Sequence, residues 1–374
     1  MTPRARIAIF VYNLAATGVV RNAHRLADAL AEDHEVELIA QRGGVMTGSR
    51  PVTLLGDPAR LGLTELTRSA LRLRRHLSRH PPAVAISAGM RGHAQLVAAT
   101  AGRRGPKRIF RISNDIDHAG TRRGLAAVAN RLQTAAVIAA ADRLVLVSRH
   151  LLDDPRLARA ADQGRVTIIE NGVDIARARA RAAEPFDTAI ALPPAPFVLA
   201  VGSLYPQKNY PLLIDAVAVA NRTRPLHLVI LGQGSDAARA ALLDRAASAG
   251  IGDRMWLPGF AANPFAAMAR AAVFALPSLW EGASNALLEA LAVGTPVVAS
   301  PMAGNAAAVI GDGHYGLLAD PRDADDWAAA LLRQAGPEPV RPGDRAAAYG
   351  LANGLAAWRA LVAEVLAEPS SRSR

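Results

Sequence analysis

Residues Ile7–Ala40 read IAIFVYNLAATGVVRNAHRLADALAEDHEVELIA. The apolar run Ile7–Val11 is short and stops at Tyr12 and Asn13, which marks a strand buried on both faces. The preceding Arg4-Ala5-Arg6 superficially resembles the basic start of a signal peptide, but the run is too short for one and is followed by an amphipathic helix. Gly18 opens that helix, and Val20, Ala23, Leu26, Ala27 and Leu30 recur at helical spacing. A second strand follows at Val36–Ala40. Strand, glycine loop, helix and strand begin a parallel sheet covered by helices on both faces.

The alternation continues outward from this unit. Strands are expected at 83–87, 108–112, 144–147 and 166–169, with helices near 64–79 and 122–140. The stretch Ile175–Pro196 holds four prolines and little periodicity, as a linker would. Beyond it strands are expected at 197–201, 226–231, 255–257, 273–276 and 296–299. Further helices are expected near 324–334 and 344–367. A chain of 374 residues exceeds one ordinary core and suits two domains of about 150–200 residues. The expected architecture is therefore α/β, with two Rossmann-like domains facing across a cleft. Their expected bounds are 1–178 and 179–345, and a C-terminal helix at 346–374 is expected to pack back toward the first domain. In open sheets of this kind ligands bind at the carboxyl ends of the strands.

Composition narrows the chemistry. Cysteine is absent, which excludes disulfides, thiolate metal sites and a cysteine nucleophile. No apolar stretch approaches the ~18–20 residues of a membrane span. The net charge of +11 lies entirely in the first half: residues 1–175 hold 26 Lys/Arg against 15 Asp/Glu, and the remainder holds 17 of each. Arg68, Arg72, Arg74, Arg75 and Arg79 fall on one expected helix, while Arg103, Arg104, Lys107, Arg108 and Arg111 flank a strand. Such a field attracts polyanions, an anionic membrane face or an acidic substrate. Nucleic acid is not expected, because aromatic residues make up only 4% and do not interleave with the basic runs. Only Lys107 and Lys208 are lysines among the 43 basic residues, which singles them out for tasks that a guanidinium fork does not fit.

The most specific segment runs from Pro277 to Pro296. A strand ends at Pro277, a helix begins around Ala283–Asn285, and Gly294-Thr295-Pro296 stops it. The helix N-terminus offers unpaired N–H groups and a partial positive charge to an anion such as phosphate. Glu281 precedes the helix and Glu289 lies within it, where they could hold hydroxyls at two ends of an elongated ligand. Glu281, Gly282 and Asn285-Ala286-Leu287-Leu288-Glu289-Ala290 resemble the E-x7-E motif of the retaining family-4 glycosyltransferases, which have the two-domain GT-B fold. Glu170-Asn171-Gly172-Val173-Asp174 is similar to that family's N-G-V-D signature, and Val201-Gly202-Ser203-Leu204 through Gln207-Lys208-Asn209 to its donor loop. Leu231-Gly232-Gln233-Gly234, Leu257-Pro258-Gly259-Phe260 and Gly316-Leu317-Leu318 also match, so the likeness covers about 165–335.

The resemblance implies a retaining, metal-independent transfer of a hexose-type sugar from a nucleoside diphosphate to an acceptor hydroxyl, with no cofactor. The acceptor would be a polysaccharide, lipopolysaccharide or lipid-linked precursor. Glu281 would bind donor sugar hydroxyls, Glu289 the ribose, and Lys208 the diphosphate. Gly18 would let the first helix approach the diphosphate, Gly259 and Phe260 would lie beside the base, and the Gly282-Ala283-Ser284-Asn285 backbone would cap phosphate or sugar oxygens. Ser203 is a further candidate on the donor side, Asn114, His118 and Arg21 are the candidates on the acceptor side, and Glu281, Lys208 and His118 are the candidate catalytic residues. Three departures stand out: Ser203 replaces the usual donor-loop arginine, Ser113-Asn114 replace a histidine for which His118 is the nearest substitute, and Thr17-Gly18 replace a double glycine. Asp115-Ile116-Asp117 forms a D-x-D triplet, but it sits in the acceptor half, so no metal site is expected. An epimerase or hydrolase on the same fold and a non-catalytic nucleotide-sugar binder remain alternatives. A serine hydrolase would need a G-x-S-x-G elbow, which does not occur, and a dinucleotide dehydrogenase a G-x-G-x-x-G after the first strand, where none follows. The expected location is cytoplasmic, at the inner face of the membrane.

Overall fold

A computed structural model describes residues 4–14, 18–44, 50–56, 63–102, 105–116, 124–186, 192–193 and 196–369. The chain divides into one unit formed by Met1–Glu170 with Asn353–Arg374 and another formed by Asn171–Ala352.

The first unit alternates β1 (Arg6–Asn13), α1 (Gly18–Leu30), β2 (Glu35–Arg42), β3 (Val52–Leu54), α2 (Leu63–Arg79), β4 (Val84–Ser87), α3 (His93–Thr100), β5 (Lys107–Ile112), α4 (Leu125–Ala140), β6 (Arg143–Leu146), α5 (Pro155–Asp162) and β7 (Val166–Ile168). Its seven strands are parallel in the order β3-β2-β1-β4-β5-β6-β7. The second unit runs α6 (Ile175–Ala182), β8 (Phe197–Val201), α7 (Tyr210–Ala220), β9 (His227–Leu231), α8 (Asp236–Ser248), β10 (Met255–Gly259), α9 (Phe265–Arg270), β11 (Val273–Leu276), α10 (Asn285–Ala292), β12 (Val297–Ala299), α11 (Ala306–Val309), β13 (Leu317–Leu318) and α12 (Ala324–Gln334). Its strands are parallel in the order β10-β9-β8-β11-β12-β13.

Strand periodicity explains the layers. On β8, Val198 and Ala200 enter one buried cluster with α7 and the fully buried Trp327 of α12, while Phe197 and Leu199 enter the opposite cluster with α9 and α10. Residues two apart share a face, so each central strand feeds two cores at once. A last helix, α13 (Leu351–Ala367), returns to the first unit, where Trp358, Leu361, Val362 and Val365 form a helical stripe packed with Ile7, Ile9 and α1.

Several expectations need correction. The division falls at Glu170 and Ala352 rather than at 178 and 345. The stretch read as a linker contains α6, capped by Asp174, whose carboxylate accepts from the Arg177 N–H at 3.0 Å. Alternating alanine and arginine hid its periodicity, because only Ala178 is fully buried. The helix expected over 344–367 is a short 3-10 turn, Arg345–Tyr349, followed by a break at Gly350 and then α13. The short strands β3 and β13 gave no sequence signal at two or three residues each. Assigning α13 to the first unit sharpens the charge split: that unit holds 29 basic and 16 acidic residues, and the other 14 and 16.

One buried titratable group gives the fold a pH signature. Burial drives the His93 imidazole down to about 3; the Arg111 backbone opposes this slightly and the Arg111 charge adds to it. The unfolded chain, with an ordinary imidazole near 6.5, takes up a proton that the folded chain refuses. Stability therefore falls as the pH drops below 6.5, by up to about 1.4 kcal/mol per unit, until the folded value is reached. Between pH 6.5 and 5 the loss should approach about 2 kcal/mol in denaturant unfolding. A His93→Phe variant should lack that component; equal slopes in the two proteins would exclude His93 as its source.

Candidate functional site

In the second unit the chain leaves β8 toward β9 on one side and β11 toward β12 on the other. Adjacent strands whose connections diverge leave a crevice at their carboxyl ends. The loops that border it are Gly202–Asn209, after β8, and Pro277–Ser284, after β11. Backbone contacts hold the first loop against its neighbours. Gly202 N–H donates to Leu231 O at 2.9 Å, Leu204 N–H to Gln233 O at 2.9 Å, and Gly232 N–H to Gly259 O at 2.8 Å. The approach is close enough to require glycine: a Cβ on Gly232 would lie 1.7 Å from Gly202 O, and one on Gly234 2.5 Å from Leu204 Cβ.

Lys208 ends a single 3-10 turn, Pro206–Lys208, and Asn209 then turns the chain through a left-handed conformation at φ 53°. The Asn209 side-chain amide secures that turn by donating to Pro321 O at 2.9 Å. From this position the Lys208 ammonium pairs with Glu281 Oε1. The two side chains are only 14% and 11% exposed, so water screens the pair poorly. Ser278 Oγ donates to the same Glu281 oxygen at 2.9 Å. Gln207 Nε2 donates to Trp280 O at 2.7 Å and to Glu281 Oε2 at 3.4 Å, while Leu279 N–H returns a bond to Gln207 O at 2.9 Å. Tyr210 OH donates to Gly202 O at 3.1 Å, and burial, reinforced by the Glu281 charge, pushes its phenol far above its ordinary value.

Helix α10 starts immediately beyond. Ser284 is its cap, with Oγ accepting from Leu287 N–H at 3.4 Å. Its eight residues carry no acidic group in the first turn, so the positive end of the dipole is not neutralised there. Asn171 Nδ2 donates to Ala283 O at 3.3 Å, and the Asn285 Oδ1 is buried without a hydrogen bond. The turn at Glu281-Gly282 rests on Gly304, at φ 63°, where a Cβ would meet Glu281 O at 2.7 Å and Gly282 O at 2.8 Å. Glu289 is buried in the second turn of α10. Gly259 ends β10 at φ 97°, and Phe260 beyond it is 51% exposed.

The structure thus gathers Lys208, Glu281 and the Gly282–Asn285 segment around one crevice, with Ser203 in the loop that carries Lys208. Gly18, Arg21 and Asn114 belong to the first unit: Gly18 and Arg21 open α1, and Asn114 follows β5 and accepts from Asp115 N–H at 3.0 Å. His118 and Asp117 lie outside the described residues. Among the described residues no group of three or more His, Asp or Glu could hold a metal ion. Sequence reading missed Ser278, Gln207, Tyr210 and Gly304. Ser278 and Gln207 could have been found as polar residues within three positions of singled-out ones, whereas Gly304 is marked only by its contacts. A Gly232→Ala variant should lose about 1–3 kcal/mol of stability, since the backbone oxygen opposite cannot rotate away. A lower melting temperature for the second unit would register this, and an unchanged one would contradict the close approach.

Residues 16–177 match the family described as Glycosyltransferase Family 4, and residues 195–335 match Glycosyl transferases group 1. The D-inositol 3-phosphate glycosyltransferase of Salinispora tropica is 37% identical over 214 residues, which are 53% of this chain and 44% of that protein. An N-acetylgalactosaminyltransferase of Campylobacter jejuni acting on N-acetylgalactosamine-N,N'-diacetylbacillosaminyl-diphospho-undecaprenol is 38% identical over 124 residues, 33% of each chain. The matched stretch thus spans less than half the length of these curated relatives. Among solved structures, HepE of Anabaena in complex with UDP-glucose superposes with a TM-score of 0.74 at 15% identity, over 96% of this chain and 100% of that one.

Proposed function

The chain belongs to glycosyltransferase family 4, with the GT-B fold, and on that premise we propose that it transfers a hexose from a nucleoside-diphosphate sugar to an acceptor hydroxyl with retention. The observation that carries the proposal is the water-poor Lys208–Glu281 pair at the β8/β11 crevice, beside the positive end of α10, whose first turn holds no acidic residue. A diphosphate entering there exchanges partners with Glu281 for the Lys208 ammonium, a compact charge suited to a phosphate oxygen. Glu281, released from Lys208 but still held by Ser278, then turns its free lone pairs to sugar hydroxyls. Glu289 takes the ribose hydroxyls. In the transfer step the bond from the sugar C1 to the phosphate oxygen breaks and a bond from C1 to the acceptor oxygen forms. The acceptor proton passes to the departing phosphate on the same face, so no side-chain nucleophile, metal or cofactor is required.

The Anabaena neighbour holds UDP-glucose, which places UDP-hexoses first among donors to try. Thermal-shift measurements with UDP-, GDP-, ADP- and dTDP-sugars should show stabilisation by one group of donors, by about 3 kcal/mol at a hundredfold excess over Kd. Single Glu281→Ala, Glu289→Ala and Lys208→Ala variants should retain their fold and lose about 10²–10³-fold in turnover. No response to any donor, or full activity in all three, would overturn the assignment. Donor consumption at an undiminished rate without acceptor would identify a hydrolase or epimerase instead.

We also propose that the first unit docks on an anionic membrane surface, where lipid-linked acceptors reside, as for the Campylobacter relative. In support, α2, α3 and α4 lie side by side; α2 exposes Arg68, Arg75 and Arg79, and α4 exposes Val128 and Leu132, the latter 67% exposed. No helix among the described residues is long and apolar enough to cross a membrane. Co-sedimentation should require phosphatidylglycerol in phosphatidylcholine vesicles and weaken with salt, and Arg75→Ser should reduce binding about fivefold. Binding indifferent to both lipid charge and salt would exclude this mode.

A further inference from the structure

The proposed transfer leaves a partly open cavity of the first unit unused. It is a cavity of about 320 Å³, within the ~300–1,000 Å³ of small-molecule sites. One wall is α4, whose Asn130, Gln133, Thr134, Val137 and Ile138 line it at helical spacing. The order along the helix sets a gradient: three polar residues come first and two apolar ones follow, with Gln133 exposed and Val137 and Ile138 buried. The other walls bring Met90 and Ala94 from the α3 side, and Ile112 and Ile116 from the end of β5. Among the described residues that line the cavity, exposed Arg91 is the charged one and none is a carboxylate.

His93 completes the lining. Its ring is 2% exposed, stacks on Phe110 with centroids 5.1 Å apart, and places Nδ1 2.7 Å from Ser87 Oγ. The other nitrogen, Nε2, meets no partner in hydrogen-bond geometry among the described residues, although the Arg111 backbone lies close enough to act on the ring. Buried polar atoms are normally satisfied, so a lone one beside a cavity calls for a partner. The ring is neutral across the working pH range, because burial holds it near 3. Which nitrogen carries the proton depends on the direction of the Ser87 bond, so Nε2 either donates or accepts. A ligand hydroxyl meets either case.

We propose that this cavity binds an uncharged, polyhydroxylated group with a hydrocarbon end, and that His93 Nε2 makes the buried hydrogen bond to one of its hydroxyls. The hydrocarbon end lies against Val137 and Ile138, and the hydroxyls face Asn130, Gln133 and Thr134. Assigning this group to the acceptor rests on the transferase reading; the ligand chemistry rests on the cavity alone. An anionic head is disfavoured, because Arg91, the one cation among the described lining residues, sits at the wet edge.

The test uses n-octyl β-D-glucopyranoside below its critical micelle concentration, with glucose and octanoate as comparators, on the full chain. Calorimetry should give saturable binding of the octyl glucoside, about tenfold or more tighter than either comparator. Saturation should also shift the His93 Nε2 resonance in ¹⁵N spectra. Ala94→Phe, which fills the cavity, should weaken binding about tenfold or more, and His93→Phe, which keeps the ring stack, about 2–10-fold. Should a buried variant not fold, Gln133→Ala at the exposed edge should still weaken binding about twofold or more. Absence of saturable binding overturns the proposal, as does affinity unchanged in Ala94→Phe and Gln133→Ala. Octanoate binding as tightly as the glycoside overturns the preference for an uncharged head. UDP-glucose titrated into the same proteins separates the two readings: donor binding without glycoside binding removes only the cavity assignment, and the reverse removes only the transferase.

Discussion

A cation and a carboxylate that both lose most of their contact with water must find each other, or the charges cannot remain in the fold. Lys208 and Glu281 meet this condition, and much of the second unit serves to make it possible. The two residues lie on different loops that only the adjacency of β8 and β11 brings together. Gly202, Gly232 and Gly234 allow the first loop to lie against its neighbour, and Gly304 supports the turn that presents Glu281. Ser278, on the carboxylate's own loop, and Gln207, beside Lys208, also bond to the carboxylate, so its orientation does not depend on Lys208 alone. A site with this construction can surrender its cation to an anionic ligand and keep the carboxylate in place.

The two lysines of the chain show how position, not residue type, assigns a role. Lys208 sits at the carboxyl end of the sheet of its unit, where parallel strands leave open loops. Lys107 opens β5 at the opposite end of its own sheet and bonds to Glu368, 3.4 Å away, and to Pro369 O at 3.2 Å. Arg143, at the start of β6, also pairs with Glu364 and Glu368. This end of the first unit therefore fastens the C-terminal helix, while the stripe from Trp358 to Val365 supplies its apolar seat. The excess of basic residues in that unit follows from both uses: some arginines hold the fold together, and others face solvent on α2.

The fold was legible because its signals are local. Runs such as Phe197–Val201 and Val273–Leu276 are apolar on both faces, which only a strand covered by helices on both sides can satisfy, and their bounds agree with the structure. The helix that begins beyond Ser284 was marked by Gly294-Thr295-Pro296 at its end, and its Ser284 cap is seen in the structure. α6 was missed because its repeating Ala-Arg sequence carries no apolar stripe, and it is held by its Asp174 cap and one buried alanine. β13 was missed because two residues carry no period at all. Of the site, Glu281, Glu289 and Lys208 were visible as charged residues in otherwise apolar or lysine-poor surroundings.

Sequence alone determined the alternation of strands and helices, the family, the halves on which charge and motifs fall, and the identity of the ionised residues in the second unit. The tertiary structure decided which of those residues meet. The pairing of Lys208 with Glu281, the support from Gly304, the return of α13 to the first unit and the placing of His93 beside an amphipathic cavity all join residues from separate elements. Such contacts follow from strand order and helix packing, and a one-dimensional pattern reports periodicity within an element without reporting which element lies opposite.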